Sequence, residues 1–157
     1  MAGRETPATR AARAARIEHA LHEYVHDPSA DSYALEAAEA LGLDPARVLK
    51  TLVVAAQGGE DGLTVCVVPS DATLELRAVG KRAAMAPTAR AERVTGYVAG
   101  GISPLGQRRA LPTLVDDGAL AHATVFVSGG RRGLELELAP ADLVALTRAE
   151  VRRLRHA

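Results

Sequence analysis

Residues 49–69 read LKTLVVAAQGGEDGLTVCVVP, two runs rich in valine and leucine on either side of a polar, glycine-rich turn. Each run is long enough for a strand, and the turn Gln57-Gly58-Gly59-Glu60-Asp61-Gly62 predicts that 49–56 and 63–69 fold back on each other as a hairpin. Upstream, Thr6-Pro7 is a cap followed by a favoured first helical residue and opens a helix over 7–21. An extended piece follows at 22–26, then a helix over 32–41 ending at Gly42, and a single turn capped by Asp44 ahead of Pro45. Downstream, the pattern predicts helices over 75–82 and 88–95 with a short strand at 82–86 between them, then strands over 113–116, 123–128 and 134–138. The last of these alternates strictly (Leu134-Glu135-Leu136-Glu137-Leu138), as a half-buried strand does. Thr147-Arg148-Ala149-Glu150 matches a capping box and predicts a final helix. Hairpins mixed with crossovers give an α/β (α+β) chain with a mixed, strongly curved or barrel-like sheet surrounded by helices, rather than a parallel doubly wound one.

At 157 residues, 48% hydrophobic and 24% charged, the chain is expected to fold as one domain over 1–157 with a substantial core. Aromatic residues make up only 3% and tryptophan is absent, so the core is built from Val, Leu and Ala, and stacking of bases on aromatic platforms is not expected as the main chemistry. Cys66 is alone, cannot form an internal disulfide, and lies mid-strand as a small apolar group, which implies a reducing, cytoplasmic setting. Arg4, Arg10, Arg13 and Arg16 come without the apolar run of a secretory signal, and no segment approaches the roughly 20 apolar residues of a membrane span, so no membrane partner is expected.

The net charge is zero but unevenly spread. Residues 17–44 carry seven acidic and no basic side chains, whereas 77–109 carry seven basic ones (Arg77, Lys81, Arg82, Arg90, Arg93, Arg108, Arg109) against Glu92. Arg148, Arg152, Arg153 and Arg155 add a second basic group. Such clusters on a neutral protein suit local contact with a polyanion, or are simply solvated faces; indiscriminate DNA binding is not expected.

Three features converge on a small site for a charged substrate. Gly96–Gly106, GYVAGGISPLG, sets paired glycines and a proline in an apolar context with no phosphate-loop lysine behind them, so Gly100 and Gly101 can bring bare amides against a carbonyl oxygen. A second glycine turn, Ser128-Gly129-Gly130, precedes Glu135. The third feature is Lys50. With seventeen arginines and two lysines, the chain uses arginine for surface charge, yet a lysine stands at the mouth of its most apolar strand. A partly desolvated ammonium there suits a phosphate or a developing oxyanion. Tyr24, one of three tyrosines, is a candidate hydrogen-bonding group. Ser103 precedes proline, has no histidine and aspartate partners in sequence, and does not read as a nucleophile. His22 and His26 lack the spacing of a metal site, so neither metal nor cofactor is expected.

The set His22-Glu23-Tyr24-Val25-His26-Asp27, Lys50-Thr51-Leu52, Thr95-Gly96-Tyr97 running into GGISPLG at 100–106, Leu111-Pro112-Thr113, and SGGRRGLELEL at 128–138 resembles the YbaK family. These are free-standing cysteinyl-tRNA(Pro) deacylases related to the editing domain of bacterial prolyl-tRNA synthetases, and the resemblance runs in order from about residue 6 to 147. It implies hydrolysis of the ester joining cysteine to a mischarged tRNA. It carries the catalytic electrostatics to Lys50, Gly100 and Gly101, and substrate binding to Tyr24, Thr51 and Glu135; Ser103, Ser128 and Gly129, on the two glycine loops, are further substrate-binding candidates from the sequence itself. Glu135 stands where the family pattern leads one to expect aspartate. The partners implied are aminoacyl-tRNA and prolyl-tRNA synthetase. With no triad in the sequence, the attacking group is the substrate's own thiol, the terminal ribose hydroxyl or a water, and positioning dominates. The alternative is a non-catalytic aminoacyl- or nucleotide-binding module acting through a synthetase; a third is a scaffold that works through its basic surfaces.

Overall fold

The computed structural model describes residues 5–30, 32–56 and 62–156. Along them run α1 (Pro7–Ala15), β1 (His19–Glu23), α2 (Tyr33–Leu41), β2 (Leu49–Ala55), β3 (Leu63–Pro69), β4 (Ala84–Met85), α3 (Thr88–Thr95), β5 (Thr113–Asp116), β6 (Val125–Arg131), β7 (Leu134–Leu138), α4 (Pro140–Thr147) and β8 (Glu150–Arg152). The predicted hairpin forms: β2 and β3 pair antiparallel from Leu49 with Pro69 to Ala55 with Leu63. Of its turn, 57–61 lie outside the described residues. Around this pair a five-stranded mixed sheet is ordered β4-β2-β3-β5-β8, with β5 parallel to β3 and β8 parallel to β5. A second, antiparallel sheet is ordered β1-β7-β6, and a bridge between Val48 and Phe126 ties the two together.

Every residue of β3 is buried, which is why its apolar run is continuous rather than alternating. Leu49, Val65, Val67 and Val115 of the larger sheet meet Val125, Val127, Leu136 and Leu138 of the smaller one, with Ala8 and Ala12 of α1 and Leu143 of α4 closing the core. On the other face of the larger sheet Val54, Cys66, Val68, Leu114 and Leu154 form a separate cluster. Cys66 is fully buried there, and burial pushes its thiol up to about 11, so it is inert packing.

Three elements differ from the sequence expectation. The first helix stops at Ala15 rather than 21, because Arg16 takes a left-handed conformation (φ 56°) and His19–Glu23 is drawn into a ladder with β7. The stretch 75–82 yields only one 3-10 turn, Leu76–Ala78. The capping-box match at 147–150 opens no helix: Thr147 closes α4, its hydroxyl donating to the Leu143 carbonyl at 2.7 Å, and Glu150–Arg152 pairs with the open edge of β5. Arg152 and Arg155 are thus held in ion pairs with Glu150 and Asp116, not ranged along a helix.

Candidate active site

Where β2 of the larger sheet begins beside the smaller one, the two sheets and α3 enclose a cleft of about 340 Å³. Six of the sequence candidates line it: Tyr24, Lys50, Thr51, Gly100, Ser128 and Glu135. The smaller sheet explains half of this convergence. Glu135 sits opposite His22 on β1 and Ser128 on β6, so the pleat sends Glu135 and Ser128 to one face while Leu134 and Leu136 go to the core. Tyr24 follows directly on β1, its amide donating to the Gly133 carbonyl at 3.0 Å. From the other sheet, β2 supplies Lys50 and Thr51.

Glu135 and Glu137 show how environment separates two carboxylates on one face. Glu137 accepts from the Thr124 hydroxyl at 2.6 Å and meets His22 Nε2 at 2.9 Å; these bonds hold its carboxyl below the usual range. Glu135 is 6% exposed, its Oε1 is shut off from water without a hydrogen-bond partner, and burial pushes its carboxyl up to about 8. Thr51 Oγ1 is likewise buried and unpartnered. Two orphaned polar atoms on one cleft are groups that await a polar ligand.

Lys50 is half-buried and, among the described residues, makes no hydrogen bond or ion pair; burial lowers its ammonium, against the opposing pull of Asp71. Burial also raises the Tyr24 phenol, with Glu135 and Glu36 adding to the rise and the Gly133 backbone and Arg132 opposing it.

The glycine loop is closely fitted. At Gly100 φ is +89°, and a Cβ there would lie 2.8 Å from Arg132 Cδ and 2.9 Å from the Tyr33 ring. A Cβ on Gly101 would lie 2.7 Å from Arg131 Cα. Gly101 is buried behind the cleft with its amide donated to the Val98 carbonyl at 2.8 Å, whereas Gly100 lies on the lining itself.

Ser103 and Gly129 also lie outside the lining. Ser103 is fully buried, its Oγ accepting from the Leu105 amide at 3.2 Å, while the Gly129 carbonyl accepts from the Thr6 hydroxyl at 2.5 Å and pins α1. The expected turn at 128–130 is instead a register shift within β6, and the chain reverses at Arg132-Gly133. His22 and His26 face Glu137 and Glu36. Sequence reasoning passed over Tyr33 and Met85, which line the cleft. The scarcity of tyrosine that singled out Tyr24 applied equally to Tyr33.

The model of the aminoacyl-tRNA editing domain matches residues 27–146. A curated relative from Enterococcus faecalis, EbsC, whose name provisionally assigns it a Cys-tRNA(Pro)/Cys-tRNA(Cys) deacylase activity, is 34% identical over 134 residues, 82% of this chain and 80% of its own. Among solved structures, one described provisionally as a trans-editing enzyme for prolyl tRNA synthetase is 26% identical with a TM-score of 0.77, over 98% of this chain and 99% of that one. Hypothetical protein APE2540 is 26% identical with a TM-score of 0.83, over 96% and 100%. With the family model matching 27–146 and a curated relative 34% identical over 82% of its length, the chain belongs to the aminoacyl-tRNA editing domain family and so to the aminoacyl-tRNA hydrolases.

Proposed function

We propose that this protein is a trans-editing deacylase that hydrolyses the ester of cysteinyl-tRNA(Pro). The observation that carries the reading is the pairing, across one cleft, of an unpartnered buried carboxyl at Glu135 with an unpaired ammonium at Lys50. An aminoacyl ester has the matching charges: an α-ammonium at one end and, at the other, a carbonyl that becomes an oxyanion, beside a ribose-phosphate.

In this arrangement Glu135 ionises against the substrate ammonium and fixes the amino acid. The Gly100 amide and Lys50 face the carbonyl oxygen, where a positioned donor is worth most because the charge develops only in the transition state. Thr51 Oγ1 and the Tyr24 phenol hold the ester and ribose oxygens. Among the described residues the lining carries hydroxyls and no histidine, and in this reading its carboxyl and ammonium are taken up by the substrate's α-ammonium and carbonyl oxygen, so activation of the nucleophile is left to the substrate's own groups. Either a water attacks the carbonyl, its proton relayed by the neighbouring terminal ribose hydroxyl to the departing ribose oxygen, or the bound cysteine's thiol attacks first, its proton leaving with the ribose oxygen, and the four-membered thiolactone so formed is opened by water to free cysteine. The cysteine selectivity and the link to prolyl-tRNA synthetase rest on the likeness to the relatives named above.

Single-turnover deacylation of cysteinyl-tRNA(Pro), run beside alanyl- and prolyl-tRNA(Pro), tests the reading. Free cysteine and tRNA should appear fastest from the cysteinyl ester, and Lys50→Ala should slow this by roughly 100- to 1,000-fold. Saturable binding with no deacylated product would show a binding module instead.

A further inference from the structure

Beside the cleft lies a second arrangement that the ester chemistry leaves unused. The Arg132 guanidinium stacks on the Tyr33 ring, Cζ 4.0 Å from the ring centroid, and Gly100 fits so closely against both that it has no room for a Cβ. Tyr33 is on the cleft lining and 37% exposed. Arg132 makes no ion pair among the described residues, and its Nε and Nη2 are buried without a hydrogen-bond partner, so the protein leaves this charge uncompensated and a phosphate would have to approach it from the Nη1 side. A planar cation on a partly exposed ring, at the edge of a polar cleft, is a surface that takes a nucleobase on its flat face and a phosphate by its charge.

The cleft volume says what must lie there. At the roughly 30 Å³ that a water occupies, 340 Å³ holds about a dozen non-hydrogen atoms. That accommodates the cysteinyl group and the ester-bearing side of the ribose, and leaves the base at the mouth.

Resting on the aminoacyl-ester reading of the cleft, we infer that Tyr33 and Arg132 form the seat of the substrate's terminal nucleotide, stacking on its adenine and drawing in its phosphate. Both are therefore positioning residues: they touch no reacting atom and act by holding the ester against Gly100 and Lys50. The low aromatic content of the chain is consistent with this, since one nucleotide needs one platform rather than a row of them.

The test compares three substrates: a cysteinyl minihelix ending in adenosine, the same minihelix with an abasic terminal nucleotide, and cysteine ethyl ester. For the wild-type protein, removing the base should lower kcat/KM by roughly 5- to 150-fold, the range of one stacked base. Tyr33→Ala should lose a similar factor on the complete minihelix and nothing further on the abasic one, while Tyr33→Phe keeps the wild-type rate. Arg132→Gln should weaken both minihelices. For Tyr33→Ala and Arg132→Gln the loss on the complete minihelix should exceed by that factor any change on cysteine ethyl ester, the ratio of the two being the quantity read. Equal losses from Tyr33→Ala on the complete and abasic minihelices, or an equal fall of either variant on the ethyl ester, overturn the seat and leave the deacylase reading standing. Adenosine monophosphate titrated calorimetrically separates the two further: wild-type binding that Tyr33→Ala abolishes supports the seat even if no ester is cleaved. Equal affinities in wild type and variant refute it.

Discussion

Replacing Glu135 by glutamine should make the empty protein more stable and less active, with a stability gain that grows with pH. The carboxyl titrates at about 8 in the fold against an ordinary 4.5, because burial without a partner disfavours its charged form. The folded state therefore holds a proton that the unfolded chain releases. This contribution to stability is complete below 4.5, shrinks as pH rises through the interval, and is gone above about 8. At about 1.4 kcal/mol per pH unit, the span from pH 5 to the folded value amounts to roughly 4 kcal/mol. For a chain of this size that corresponds to roughly 10 °C in Tm. Glutamine has its own buried amide to satisfy, so the quantity to read is the change in the Tm difference between pH 5 and pH 9, from which that fixed cost cancels. Thermal unfolding followed by circular dichroism across this range measures it. Wild-type and Glu135→Gln curves that run parallel in pH would refute the argument that an uncompensated carboxyl lies in the cleft.

The same group gives a binding prediction. At pH 7 the free protein holds Glu135 protonated, so seating an ammonium beside it releases up to about one proton. Calorimetry of an uncleavable cysteinyl-amide of 3′-amino-adenosine in buffers of different ionisation enthalpy should detect this release, and Glu135→Gln should abolish it. Gly100→Ala forces a side chain into φ +89° and against Tyr33 and Arg132, and should cut kcat/KM for the cysteinyl ester at least about 10-fold, with roughly 1–2 kcal/mol of strain seen in denaturant titration. Asp116 is fully buried and accepts from the amides of Gly118, Leu154 and Arg155 at 2.9, 2.7 and 3.1 Å besides pairing with the Arg155 guanidinium. Asp116→Ala should cost roughly 3–5 kcal/mol in urea unfolding while kcat below the transition stays unchanged.

Those parts of the fold that depend on local chemistry were legible. The valine runs, the caps at Thr6 and Asp44, and the stop at Gly42 each act within a few residues, and the structure keeps them. What could not be read depends on pairing across the chain. Residues 16–21 continue an alanine- and arginine-rich helical pattern, and only the ladder to β7, more than a hundred residues later, turns them into a strand. Glu150–Arg152 carries a good helix-start signal and is overruled by the vacant edge of β5. The site shows the same division. Lys50 was conspicuous because lysine is rare here, and Gly100 because paired glycines interrupt an apolar run. The difference between Glu135 and Glu137 is invisible in a strictly alternating strand, since it arises from Thr124, His22 and Arg47 reaching one carboxylate and not the other.

The existence of the cleft itself follows from where one short strand stops. β4 pairs with β2 only at Val54 and Ala55, and the Ala86 amide adds a bond to the Val53 carbonyl before Pro87 turns the chain into α3. Pro87 has no amide to donate and could not carry the ladder further along β2. Among the described residues no strand pairs with the outer edge of β2 from Lys50 to Leu52, a condition that sheet proteins ordinarily cover or blunt. Here the open edge faces the cleft, flanked by Tyr24 and Glu135 from the smaller sheet and by Thr88 and Ala91 from α3. Had β4 run three residues longer, its backbone would occupy the space in which we place the ester. The proline that ends β4 and the lysine that enters β2 therefore serve one purpose: the first keeps the edge vacant and the second supplies the charge beside it.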